Sequence, residues 1–305
     1  MDSKPLAPQK GAGEGKTHTG ILTRLRRYGE LTLFSHTLFS LPFGLLAMIW
    51  AADGLPPLKT FFWILLALVG ARNGANAFNR IADLALDKKN PRTSGRPLAD
   101  GRVSMTEAVI LTLLCFGLLV LSAAMLNPLC LGLCPLAIGI FLFYSYTKRF
   151  TWLCHFVLGA ACGGAPLGAW MAVRGRVDFL PLLLAAAVCL WVAGFDILYA
   201  TQDIDFDRTE GLHSLPARFG LRAALLLSAG CHVLSCGLLL LLPLFHKSGP
   251  FYYIGLLAAG MLMLLEHLDL DPLDARRMRF ASYHLNQLVS VVFFLFAGLD
   301  FLLYA

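Results

Sequence analysis

Three oxygen-bearing side chains recur at four-residue intervals near the end of the second long apolar stretch: Asn79, Asp83 and Asp87. On a helix with 3.6 residues per turn, a four-residue step rotates the side chain by only about 40°, so all three project from one face. Carboxylates held this close repel each other unless a cation lies between them. Hard oxygen ligands suit Mg²⁺, which takes a few carboxylates together with phosphate oxygens and water.

A second acidic cluster follows the sixth long apolar stretch. Its spacing places the members in a narrow stripe on one helix face, and they are Asp196, Tyr199, Asp203 and Asp207. Each cluster leaves an even-numbered apolar stretch, so both open toward the same side of a membrane. Either cluster alone could be a solvated helix end. Two at matching positions indicate a functional site, because ionisable groups at membrane depth are costly.

Basic side chains accompany both clusters and indicate that the ligand includes a polyanion. Arg72 lies inside the second apolar stretch, where membrane topology does not require a cation. Arg92 and Arg96 follow the first cluster. Lys148 and Arg149 lie at the end of the fourth apolar stretch, together with Tyr144. Carboxylates, Mg²⁺ and several cations on one rim describe a diphosphate site, in which the metal bridges acid to phosphate and the cations take the remaining charge.

The elements that must position these groups are membrane-spanning helices. The chain of 305 residues is 57% hydrophobic and only 14% charged, whereas an ordinary soluble domain is about 25% charged. A membrane span needs about 20 mostly apolar residues. Nine stretches qualify, and they are 31–51, 60–79, 104–126, 129–146, 152–173, 179–199, 222–244, 251–268 and 283–304. We therefore expect an all-α polytopic membrane protein with about nine transmembrane helices around a central cavity.

The distribution of lysine and arginine predicts the orientation. With the N-terminus inside, 20 of the 25 fall on the cytoplasmic side, four fall outside, and Arg72 lies within a span. This asymmetry predicts a multi-pass protein of the cell (inner) membrane, with its N-terminus and both acidic clusters cytoplasmic. Residues 1–20 are predicted to be a disordered cytoplasmic tail, and residues 21–305 a single membrane-embedded domain. Membrane lipid is an expected partner, and nucleic acid is not.

These motifs resemble the UbiA superfamily of intramembrane aromatic prenyltransferases, from about residue 24 to the end. The residues that carry the resemblance are Asn79-x3-Asp83-x3-Asp87, the run RTSGRPL at 92–98, Tyr144-x3-Lys148, and Asp196-x2-Tyr199-x3-Asp203-x3-Asp207. The strings at 144–155, 194–203 and 211–220 are similar to a branch described as 4-hydroxybenzoate polyprenyltransferase-like, which includes members of the futalosine route to menaquinone. Two residues differ from those of many relatives: Arg80 stands in place of an aspartate, and His213 stands in place of a lysine.

The resemblance implies a nine-helix fold with a cavity open laterally to lipid. It implies that two Mg²⁺ ions are held on a polyprenyl diphosphate by Asn79, Asp83, Asp87, Asp203 and Asp207. Catalytic roles extend to Arg72, Lys148 and Tyr144, and substrate-binding roles to Asn79, Arg92, Arg96, Asp196, Tyr199 and Arg149. The implied reaction is ionisation of the diphosphate and attack by an aromatic acid in respiratory quinone biosynthesis. The acceptor is either 4-hydroxybenzoate or 1,4-dihydroxy-6-naphthoate, and the prenyl chain length stays open.

A membrane transporter that uses the aspartates as an ion or substrate site is the main alternative, since charges within spans also mark ion pathways. Against it, these acids cluster at helix ends on one side. A further acidic stretch, Glu266 to Asp274, abuts Arg276, Arg277 and Arg279. We expect it to be an internally neutralised loop rather than a metal site.

Overall fold

The computed structural model describes residues 20–32, 37–268 and 284–304, and these parts of the chain contain helices and no strand. The helices are α1 (Ile21–Leu31), α2 (Thr37–Ala52), α3 (Leu58–Ala82), α4 (Leu84–Lys89), α5 (Met105–Leu126), α6 (Pro128–Thr147), α7 (Cys154–Arg174), α8 (Phe179–Ala200), α9 (Ile204–Thr209), α10 (Leu215–Leu241), α11 (Pro250–Leu268) and α12 (Asn286–Tyr304). Short 3₁₀ turns at Thr201–Asp203 and Leu242–Leu244 extend α8 and α10.

Among the described residues, eight helices are long and apolar enough to cross a membrane, and they are α3, α5, α6, α7, α8, α10, α11 and α12. The apolar part of α2, Phe39–Ala52, is shorter. Of the predicted first span, 31–51, the structure describes the end of α1 at Leu31 and the helix α2 from Thr37, and residues 33–36 lie outside the described parts of the chain. The other predicted spans match helices closely, except that the seventh begins earlier, at Leu215, and bends at Gly220, whose φ is +82°. The expected all-α multi-pass fold is confirmed.

Local sequence signals explain where several of these helices begin. Ser104 and Glu107 form a reciprocal capping box at the start of α5, which satisfies two backbone N–H groups that the first turn leaves without partners. The Asn127 side chain accepts from the Cys130 N–H at the start of α6. Ser214 does the same for α10, by accepting from the Ala217 N–H. The connections that end at Asn127 and Ser214 are short, so the spans that they join run antiparallel.

One half of the helix bundle has a filled core. Helices α2, α8, α10, α11 and α12 bury a cluster of aromatic rings that includes Phe43, Trp191 and Phe293. Within it, Trp191 Nε1 donates to Asn286 Oδ1 at 2.8 Å, and Asn286 Nδ2 donates to Glu266 Oε1 at 2.8 Å. Glu266 is therefore a buried residue of α11, not part of a loop, and that prediction was wrong for it. Residues 269–274 lie outside the described parts of the chain.

The other half of the bundle is hollow. A cavity of about 260 Å³ lies between α3, α5, α6 and α7, with one residue of α2 on its wall. Its lining is almost wholly apolar, and its most polar members are Arg72 and Tyr144. Tyr144 is also within electrostatic reach of Arg80 and Asp83. The cavity therefore begins beside the acidic residues at one end of the bundle and extends into the membrane-spanning part.

Candidate active site

The first acidic stripe lies where α3 passes into α4, with Asp83 between the two helices. The helical pattern continues through this junction, because the Asp83 N–H donates to the Asn79 carbonyl at 2.9 Å and the Asp87 N–H donates to the Asp83 carbonyl at 2.8 Å. The Asn79 Nδ2 also donates to Asp83 Oδ2 at 3.0 Å. These side chains therefore share one face, as their spacing predicts.

Asp87 is only 6% exposed, and two arginines neutralise its carboxylate. Arg96 Nη1 donates to Asp87 Oδ1 at 2.6 Å, and Arg80 Nη1 lies 3.5 Å from Oδ2. Burial raises the pKa of Asp87 and likewise that of Asp83, and the positive charge of Arg80 opposes both rises. Arg80 also donates to Asn79 Oδ1. Arg80, which stands where many relatives have an aspartate, thus contacts two members of the first stripe.

The second stripe begins in α8, and its member Asp203 lies in the 3₁₀ turn Thr201–Asp203. Arg92 contacts both carboxylate oxygens of Asp203: its Nε donates to Oδ1 at 2.9 Å and its Nη2 donates to Oδ2. Asn90 Nδ2 adds a third bond to Oδ1 at 3.0 Å. Paired guanidinium bonds of this kind are among the strongest that a carboxylate makes. Burial by itself would lower the pKa of Arg92, but its bonds to Asp203 raise it above the ordinary value.

Asp207, one turn further on in α9, is fully buried. Lys148 Nζ lies 2.8 Å from its Oδ1, and the Ser214 hydroxyl donates to Oδ2 at 2.5 Å. Burial would lower the pKa of Lys148, but the Asp207 carboxylate more than offsets this and raises it. The lysine therefore stays charged. Through this contact the end of α6 is bound to the second stripe.

One loop joins the two stripes. Arg96 of the loop holds Asp87 of the first stripe, and Arg92, four residues earlier, holds Asp203 of the second. The Arg92 Nη1 also donates to the Tyr199 hydroxyl at 2.6 Å. Acids that are far apart in the sequence are thus brought to a single site by the RTSGRPL segment.

Arg72 and Tyr144 lie on the wall of the cavity rather than among the acids. Arg72 Nη1 donates to Cys162 Sγ at 3.1 Å, and its buried Nε has no hydrogen-bond partner. In the described parts of the chain no carboxylate pairs with it. Arg149 lies at the rim, where its Nη2 is 3.8 Å from Asp83 Oδ1. An unpaired cation thus marks the inner end of the polar site.

Asp196 is tied to a residue that the sequence analysis did not single out. Its Oδ2 lies 2.6 Å from Nδ1 of His155, and the Nε2 of this buried histidine accepts from the Leu215 N–H at 3.3 Å. This bond chain connects α7, α8 and α10. The other unpredicted residues that contact the site are Arg80, Asn90 and Ser214. Asn90 and its partner Asp203 are distant in the sequence, so spacing does not mark this contact, whereas Arg80 and Ser214 bond to aspartates seven residues away.

The oxygen ligands of the two stripes fit a Mg²⁺ site whose coordination is completed by the substrate. Within residues 20–32, 37–268 and 284–304 no three His, Cys, Asp or Glu side chains converge as a closed metal cage. The two stripes instead present hard oxygen ligands, and Mg²⁺ usually binds through one or two carboxylates plus substrate phosphates and water. Four aspartates of the two stripes each lie beside an arginine or lysine of the same chain, and they are Asp83, Asp87, Asp203 and Asp207. A metal held by these carboxylates would leave the paired cations available to phosphate oxygens.

Comparisons with known proteins agree with this geometry. The model of the UbiA prenyltransferase family matches residues 40–296. The 4-hydroxybenzoate octaprenyltransferase of Pseudomonas entomophila (strain L48) is 32% identical over 271 residues, which cover 86% of this chain and 90% of that protein.

Solved structures share the fold. A UbiA homologue from Aeropyrum pernix K1 is 33% identical, with a TM-score of 0.79, covering 87% of this chain and 98% of its own. A UbiA homologue from Archaeoglobus fulgidus, bound to GPP and Mg²⁺, is 19% identical with a TM-score of 0.67, and the match covers 91% of this chain and all 100% of the other. The expected UbiA-type arrangement of helices is confirmed.

The His155–Asp196 pair should stabilise the junction of α7, α8 and α10. In His155→Phe, Asp196 loses its partner and the Leu215 N–H loses its acceptor, so the free energy of unfolding should fall by about 1–3 kcal/mol. His155→Phe with Asp196→Leu should recover part of that loss, because no partly buried carboxylate is left without its partner. Unfolding of the purified protein in detergent, analysed as a double-mutant cycle, measures the coupling. Strictly additive effects would show that the contact contributes nothing.

Proposed function

The chain belongs to the UbiA prenyltransferase family, and we propose that it transfers a polyprenyl chain from polyprenyl diphosphate to 4-hydroxybenzoate. One observation carries the proposal: two acidic stripes, bridged by Arg92 and Arg96, stand at the head of an apolar cavity. Such a site matches a ligand with a polyanionic head and a hydrocarbon tail. The relatives that bear the name 4-hydroxybenzoate octaprenyltransferase support the acceptor.

We propose that the diphosphate head is bound by metal ions and by the basic side chains that pair with carboxylates in the free chain. The metal ligands are Asn79, Asp83, Asp87, Asp203 and Asp207. When bound, Mg²⁺ supplies Lewis-acid stabilisation of the charge on the departing diphosphate. Arg92, Arg96 and Lys148 neutralise the carboxylates in the free chain, and they would bind the diphosphate oxygens if a metal were held by those carboxylates. Arginine is suited to this role because its planar fork bonds phosphate oxygens in pairs.

The transfer step breaks the bond between the allylic carbon and the diphosphate oxygen. The bonding electron pair leaves on the diphosphate, and the ring carbon next to the acceptor hydroxyl attacks the allylic cation. The new carbon–carbon bond forms and the ring proton is released. Tyr144 and Arg72 stand where the cavity meets the polar site, so Arg72 is placed to bind the acceptor carboxylate. The apolar cavity walls keep water from trapping the cation.

Family membership disfavours the transporter alternative, since a transferase uses the acids for chemistry rather than for an ion path. We propose residues 21–305 as one membrane-embedded domain of the cell inner membrane, with its N-terminus and the site cytoplasmic. The product then enters respiratory quinone biosynthesis. A 1,4-dihydroxy-6-naphthoate acceptor is the second candidate. It is favoured by the strings at 144–155, 194–203 and 211–220, which are similar to the branch that includes members of the futalosine route to menaquinone.

Both stripes should be needed for turnover. Asp83→Ala and Asp203→Ala should each lower kcat by roughly 10³-fold or more, because each removes a metal ligand that stabilises the leaving group. Asp205→Ala is the matched control, since Asp205 lies in the same acidic run but is exposed and should retain wild-type activity. Steady-state assays with Mg²⁺ measure the effect. If either stripe variant kept substantial turnover, the two-stripe assignment would fail.

The donor should need the double bond beside the departing oxygen, because only an allylic cation is delocalised. The saturated diphosphate analogue should therefore compete with the donor but transfer nothing. Mass spectrometry with a long allylic donor, Mg²⁺ and each of the two acceptors should detect prenylated 4-hydroxybenzoate and released diphosphate. Prenylated dihydroxynaphthoate alone would favour the second candidate. No prenylated acid with either acceptor would refute the proposed function.

The orientation can be tested by labelling. In a variant without native cysteines, Lys88→Cys should react only from the cytoplasmic side and Arg176→Cys only from the opposite side. Both positions are exposed and lie at opposite ends of the bundle. Membrane-impermeant thiol reagent applied to intact cells and to inverted vesicles gives the comparison. The reverse pattern would show that the site faces away from the cytoplasm.

A further inference from the structure

The glycines of α7 fall into two classes that face different parts of the molecule. Gly159 and Gly163 press against α8, where an added Cβ would lie 2.3 Å from the Cys189 carbonyl oxygen or 2.5 Å from that of Ala185. Close packing of helix backbones accounts for them. Gly164 and Gly168 line the cavity instead, and an added Cβ at either would meet nothing within 4 Å. Helix packing therefore does not explain the second pair.

Local helix energetics do not explain the second pair either. Glycine inside a helix is less favourable than alanine by about 1 kcal/mol, and neither residue has a positive φ. A larger side chain would fit sterically and would favour the helix. What glycine provides at these positions is open space on the cavity wall.

The position of that space along α7 is defined by Arg72. Its guanidinium contacts Cys162 and has a buried Nε without a partner, so the polar end of the cavity lies at Cys162. Gly164 and Gly168 follow two and six residues later, which is about 3 and 9 Å further along a helix that rises 1.5 Å per residue. The direction is away from the acidic stripes, toward the part of the cavity with apolar lining.

We propose that Gly164 and Gly168 keep open the path of the prenyl tail and so determine the longest donor that the protein accepts. This rests on the proposed function, because it assigns the cavity to the tail of the polyprenyl diphosphate. The two glycines then act at successive depths. A side chain at Gly168 blocks the distal part of a long tail, and one at Gly164 also obstructs the units next to the diphosphate.

The test compares donors of different length in matched variants. Gly168→Leu should leave the binding of geranyl diphosphate close to wild type and weaken that of octaprenyl diphosphate about tenfold or more, which is about 1.4 kcal/mol. Gly164→Leu should weaken both donors. Gly139→Leu is the control, because Gly139 of α6 is exposed, has open space for a Cβ and does not line the cavity. It should leave both donors unchanged.

Binding is measured with thiolodiphosphate analogues, which do not ionise, and turnover is measured in parallel. Equal losses for both donors in Gly168→Leu, no loss for either, or the same discrimination in Gly139→Leu would overturn the proposal. If the wild-type protein binds both analogues but transfers neither the geranyl nor the octaprenyl chain from the diphosphate donors, the proposed reaction is wrong. The comparison of analogue binding still tests the role of the two glycines. If it binds neither analogue, both proposals are wrong.

Discussion

Four carboxylates gathered at the end of a helix bundle in a membrane protein must be neutralised, and the way this chain does so organises the rest of the site. Charge buried away from water is costly unless it is paired. Arg92 pairs with Asp203 and Arg96 with Asp87, so a single loop holds the ends of α4 and α8 together. Lys148 adds the end of α6 through Asp207. Because arginine and lysine also bind phosphate, the arrangement that stabilises the free site carries the charge that the proposed polyanionic ligand requires.

The division of the bundle into a filled half and a hollow half gives that polar site its context. Around Trp191 and Phe293, aromatic rings and the Asn286–Glu266 hydrogen bond close the core. Between α3 and α5–α7, small residues leave a cavity. In lipid no hydrophobic force fills such space, since helix association depends on close contact and polar bonds. A cavity can therefore persist beside tightly packed pairs such as α7 and α8.

Several contacts at the site could not be predicted from local patterns. His155 lies in an apolar segment and pairs with Asp196, and Asn90, which follows α4, bonds to Asp203 of the second stripe. Asp196 was grouped with Tyr199 by helical spacing, but their partners differ, because Asp196 bonds to α7 and Tyr199 to the loop after α4. Spacing defines which face of its own helix a residue occupies. It carries no information on which other element covers that face.

From the sequence alone one could derive the approximate bounds of most apolar helices, the two acidic stripes and the family resemblance. Those follow from properties local to each segment: apolar length against bilayer thickness, and residue spacing against helical pitch. Only the tertiary structure decided that Glu266 lies buried in α11 and that the cavity is bounded by α3 and α5–α7. Likewise Gly163 and Gly164 are neighbours of the same type, yet one meets α8 and the other meets open space. That difference depends on where other helices pack, and packing is set by contacts among residues that are distant in the chain.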